Sequence, residues 1–101
     1  MIEGVLQLLE GMSRRPGMYV QPVEVGTVQS YLDGLEAGCH FGGLHVTREI
    51  YEAAAASRGW ERRATGIVWH MEAKGPDTTA IIQELIAVEA EAFRRAAAGR
   101  A

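Results

Sequence analysis

Cys39 is the only cysteine in 101 residues, so no intramolecular disulfide framework can staple this chain, and a reducing compartment suits it. No apolar run approaches the roughly 20 residues that a bilayer-crossing helix needs. The opening stretch MIEGVLQLLEG carries Glu3 where a secretory signal requires basic residues. Together these features predict a cytoplasmic protein with no membrane partner. The motifs GxGxxG, GxxxxGKS or GxxxxGKT, HExxH and GxSxG are missing as well. The sequence therefore predicts no catalytic residue and no cofactor. One further absence concerns charge. Between Arg15 and Arg48 there is neither Lys nor Arg, while Glu24, Asp33 and Glu36 fall inside that interval. With 10 basic and 13 acidic residues the net charge is -3. An acidic region of surface is expected, one that repels nucleic acid and steers a basic protein partner.

What is present reads as one folded unit. The chain is 48% hydrophobic and 23% charged, a globular composition, and at this length it supplies a single core, predicting one helical domain over 1–101. Ile2, Val5, Leu6, Leu9 and Met12 recur at three- and four-residue steps, the stripe of a first helix. That helix should stop near Ser13 or Arg14, because Pro16 disfavours helical geometry at Arg15. Pro16 and Gly17 then suit a type II turn with positive φ at Gly17, and the segment MYVQPVEV is expected to lay Met18, Tyr19 and Val20 over the helices. A second helix begins near Gly26 or Thr27, with Thr27 as its cap and Val28, Tyr31, Leu32, Leu35 and Cys39 inward. Glycines in GCHFGG end it. A third helix runs from about Leu44 to Arg58, with Val46, Ile50, Ala53 and Ala54 inward and Gly59 as its stop.

Residues 60–75 admit two readings. Ile67, Val68 and Met71 stand at helical steps, yet TGIVWHME is rich in strand formers, so a short β segment near 66–72 competes with a helix. The helix is favoured, since no second strand is available to pair. The last helix is capped by Asp77 or Thr78, carries Ile81, Ile82, Leu85, Val88, Ala92 and Phe93 on its stripe, and closes at Gly99. The expected fold is all-α, a compact bundle of four to five helices.

Some residues carry chemistry beyond this frame. Cys39, His40 and His45 are zinc-type ligands, but a structural site wants four ligands at paired spacing, so no metal is expected. Cys39 at the negative end of a helix is a poor thiolate. Glu49 with Glu52, and Glu89 with Glu91, read as exposed acids solvating helix faces, with no cleft in prospect. The arginine pairs 14–15, 62–63 and 94–95 read as helix-terminal charges rather than a nucleic-acid surface. Trp60 and Trp69 read as core anchors.

LEGMSRRPGMYV, residues 9–20, resembles the segment near the start of the ATPase domain of type II topoisomerase B subunits. The following TVQSYLDGLEAG lacks the Glu and Asn that family uses for water activation and magnesium, so ATP binding does not carry over. A longer resemblance, over residues 1 to about 40, is to small bacterial proteins that share a first helix, the turn Arg15, Pro16, Gly17, Met18, Tyr19, and a helix patterned as VQSYLDGLEAG. These look like immunity proteins of polymorphic toxin systems. The resemblance implies a compact helical module that neutralises a cognate toxin, the turn serving as a structural motif; the missing catalytic motifs add that it is non-enzymatic, and the acidic interval that the toxin presents a basic surface. Glu24, Asp33 and Glu36 are the expected contact residues. The alternatives are a small nucleic-acid-binding or transcriptional regulator using Arg14, Arg15, Arg62 and Arg63, or a homodimeric structural module.

Overall fold

The structure is a computed structural model and describes residues 1–62, 66–75 and 77–99. Helix α1 spans Ile2–Arg14 and buries Val5, Leu9 and Met12 from the expected stripe. It stops where Pro16 requires, with Arg15 out of helical geometry at φ -138°. The turn that follows differs from the expected type II form. Pro16–Met18 is a single 3₁₀ turn, closed by the Tyr19 N–H on the Pro16 carbonyl at 2.9 Å. Such a turn keeps φ negative throughout, and Gly17 is not among the glycines at positive φ. Side chains in a 3₁₀ turn fall about 120° apart, so neighbours cannot both face the core. Tyr19 packs against it, edge-on to Tyr31 with ring centres 6.1 Å apart, whereas Met18, expected to be buried, is 75% exposed.

Helix α2, Val25–Phe41, buries Val28, Leu32 and Cys39. Its cap is Glu24 rather than Thr27. Thr27 is the third helical residue and answers Glu24 in a capping box, its hydroxyl accepting from the Glu24 N–H at 3.1 Å. Helix α3, Arg48–Ser57, starts four residues later than its apolar pattern suggests, because the Thr47 side chain accepts from the Ile50 N–H at 3.1 Å and begins the helix there. Leu44 and Val46 enter the core from the preceding extended segment. On α3 the inward positions are Ala54 and Ala55; Ala53, expected inward, is exposed. Gly59 ends the element at φ 85°.

In the 60–75 segment the helical reading holds, confined to α4, Val68–Ala73, and the competing β segment near 66–72 does not form. Helix α5, Thr78–Ala98, is capped by Asp77, whose carboxylate accepts from the Ala80 N–H at 2.8 Å. It is the centre of the molecule: α1, α2, α3 and α4 all pack against it. With 21 residues it is roughly 31 Å long, against a longest molecular dimension of 38 Å. The radius of gyration, 12.9 Å, equals the ~13 Å of a compact 100-residue chain. The fold is thus the expected all-α bundle, with Phe93, Leu9, Met12 and Met71 among the most deeply buried side chains. No helix among the described residues is long and apolar enough to cross a membrane.

Candidate functional site: an acidic cleft between three helices

Helical spacing assembles a cleft of about 370 Å³ between α2, α3 and α5. On α2, Gln29, Leu32 and Glu36 share one face at three- and four-residue steps, with Asp33 beside them. Helix α3 contributes Arg48 and Tyr51, one turn apart, and α5 contributes Leu85 and Glu89, four residues apart. Ile67, Leu32 and Leu85 give the floor and walls an apolar character, and all three are buried. A carboxyl group therefore sits at the bottom of a partly apolar hole.

That carboxyl is Glu89, 2% exposed and the one buried charged residue among those described. No N–H or O–H donor among the described residues reaches its Oε2 atom. The group that does reach Glu89 is the Glu36 carboxyl, and two carboxyls bond only when one of them carries a proton. Burial first, then that bond and the charges of Glu36 and Asp33, push the Glu89 carboxyl well above the usual range. Tyr51 responds in the same direction, its phenol held neutral chiefly by burial and then by the field of Glu89.

The cleft's arginines do not neutralise these acids. Arg48 Nε lies 3.0 Å from Glu52 Oε1 and Arg62 Nη1 lies 3.7 Å from the same oxygen. The Arg62 guanidinium also sits over the Tyr51 ring, 5.4 Å from its centre. Glu52 thus engages both cations at the rim, and no ion pair forms at Asp33, Glu36 or Glu89 among the described residues.

Two of the three expected contact residues, Asp33 and Glu36, come together here. Glu24 does not. It caps α2 nine residues earlier, roughly 13 Å away along the axis and half a turn around it. Glu89, expected to be an exposed acid, is the principal correction. Its signal was present in the sequence: position 89 lies four after Leu85 and three before Ala92, inside the stripe rather than beside it. Tyr51 carries no such signal, because the carboxyl groups that act on it lie on two other helices.

The remaining candidates lie elsewhere. Cys39 is buried and its thiol pushed up by burial and by Glu36, which disfavours a thiolate. The His40 and His45 rings stand 4.1 Å apart, yet no three His, Cys, Asp or Glu among the described residues converge on a metal position. Arg14 pairs with Glu10 one turn back, and Arg94 and Arg95 both pair with Glu91. Arg63 lies outside the described residues. Trp60 serves structure, its indole N–H donating to Glu84 at 2.8 Å while Arg58 holds the same carboxylate at 2.7 and 3.0 Å. Comparison of the chain with protein-family profiles, curated proteins and solved structures finds no match.

Proposed function

We propose that this chain acts by stoichiometric protein binding, in the manner of a bacterial immunity protein that neutralises a toxin encoded beside it, and that the acidic cleft edge at Asp33 and Glu36 forms the contact. The observation that supports this reading is the meeting of those two acidic side chains at one opening with no ion pair to either among the described residues, the cleft's Arg48 and Arg62 being engaged by Glu52. Such a surface is complementary to the basic, phosphate-seeking cleft of a nuclease, and its field raises the rate of encounter without chemistry of its own. Glu24, exposed at the start of α2, lies outside the cleft edge and is not part of this contact as proposed. The test is affinity purification from the native host with the wild type and with the double variant Asp33→Lys, Glu36→Lys. The wild type should retain one protein, encoded in the adjacent gene, whose toxicity it suppresses on co-expression. The double variant should lose it, and association with the wild type should slow at least about tenfold between low and high salt. Equal capture by both proteins, at a rate indifferent to salt, would remove the acidic edge from the interface.

A further inference from the structure

A buried carboxyl group with one oxygen that no donor reaches is an uncommon thing to keep in a small core, because such an atom costs stability unless something arrives to pair with it. Glu89 is such a group, and it stands at the bottom of an open cleft rather than in sealed packing. We propose that the cleft is a binding site for a guanidinium group, supplied by an arginine side chain of the protein partner, with Glu89 and Glu36 accepting its N–H donors and Asp33 at the mouth. For the source of that group the inference rests on the protein-binding reading above; the site itself does not.

The observations select a guanidinium over other cations. A metal ion is disfavoured by the donor arrangement, since no three suitable side chains converge among the described residues. An ammonium is a compact and strongly hydrated charge, costly to bring against Leu32, Ile67 and Leu85. A guanidinium is flat, weakly hydrated, and carries its donors in a fork that matches paired carboxyl oxygens. The cleft wall already accommodates one, since Arg62 lies over the Tyr51 ring. The volume, about 370 Å³, is at the small end of ligand sites, room for one long side chain and no more. An incoming cation competes with the proton that burial favours on Glu89. Asp33 and the Cys39 thiol face Glu89 from α2 and strengthen its hold on that proton; Tyr51 and Arg48 line the cleft from α3, with Arg62 beyond the ring. Binding therefore releases a proton to solvent and strengthens as pH rises.

The experiment is an NMR titration of the full chain with N-butylguanidinium, its neutral isostere N-butylurea, and the peptide acetyl-Gly-Arg-Gly-amide, each at constant ionic strength. N-Butylguanidinium should shift the amides of Asp33, Glu36, Tyr51 and Glu89 saturably, with a Kd on the order of 1 mM, tighter at pH 8 than at pH 6. N-Butylurea should not saturate. Glu89→Gln should weaken the cation at least tenfold while its spectrum stays folded. Equal binding of the urea, or a Glu89→Gln protein that binds the cation as the wild type does, overturns the site. If N-butylguanidinium saturates and the peptide does not, the guanidinium site stands and a partner's arginine is overturned as its occupant. Loss of the protein partner in the charge-reversal experiment with the titration unchanged would strike the protein-binding reading alone.

Discussion

Glu89 holds a proton in the folded state that it gives up in the unfolded chain, and the sign of the consequence is fixed by that. Its folded value lies above the ordinary carboxylate range, so between the two values the native protein binds more protons than the unfolded one. Stability is then full below the unfolded value and is lost as pH rises through the folded one. Urea denaturation of the wild type should give a falling midpoint from pH 5 to pH 8, and Glu89→Gln should flatten that slope. At pH 8 the variant should be the more stable protein by about 1 kcal/mol or more, because it relieves a buried charge. Glu84 behaves oppositely. The Arg58 hydrogen bond, aided by the Trp60 donor, holds its carboxyl below the ordinary value, so its contribution is present above the unfolded value and lost as pH falls through the folded one. Glu84→Gln should flatten the acid limb, below about pH 4.3. The loss should be under about 1 kcal/mol, since the pair is partly exposed and screened. A wild-type midpoint that rises from pH 5 to pH 8 would contradict the account of Glu89.

At the scale of elements, the glycines separate by backbone rather than by motif. Gly17 stands at the heart of RRPGMY, yet its φ is ordinary and an added methyl would meet only Gln21 Nε2 at 3.5 Å and Val23 Cγ2 at 3.8 Å. Gly17→Ala should therefore be tolerated, within about 0.5 kcal/mol of wild type or slightly more stable through a less flexible unfolded chain. Gly59, with open space around it but φ 85°, should lose about 1 kcal/mol on the same substitution, through backbone strain alone. Gly11 is a third case: its backbone is helical, but a methyl there would run into the Tyr19 hydroxyl and displace the side chain that locks the turn onto α1. The cap of α5 is also separable, and Asp77→Ala should cost about 1 kcal/mol. Thermal melts of these single variants check the ordering, with Gly17→Ala the mildest.

For the molecule as a whole, the arrangement around α5 makes its interior positions shared property. Phe93 is fully buried on that helix, against which α1, α2, α3 and α4 pack. Phe93→Ala should cost about 3–5 kcal/mol, a large share of the ~5–15 kcal/mol that such a domain has. The expected fall in Tm exceeds roughly 12 °C. Differential scanning calorimetry should show one transition for wild type and variant alike, as a core built on a single central helix has no part that unfolds independently. The same arrangement explains the cleft: α2 and α3 each pack on α5 but not on one another, and the gap between them is lined by Leu85 and Glu89 of α5 itself.

Much of this was legible in one dimension. The stripes of α1, α2 and α5, the stop imposed by Pro16, the cap at Asp77 and the acid-only interval from Arg15 to Arg48 are local consequences of side-chain spacing, proline geometry and charge, and need no knowledge of neighbours. The turn at Gly17 was not legible, because a Pro-Gly pair permits both a type II turn and the 3₁₀ turn observed, and local sequence does not choose between them. The late start of α3 followed from the Thr47 cap outcompeting an apolar pattern that Leu44 and Val46 continue in extended form. The site was half visible. Asp33 and Glu36 could be named from charge alone, but Glu89 and Tyr51 acquire their chemistry only when α5 and α3 close on α2, since desolvation and the meeting of two carboxyls are properties of the space between helices and not of any one of them.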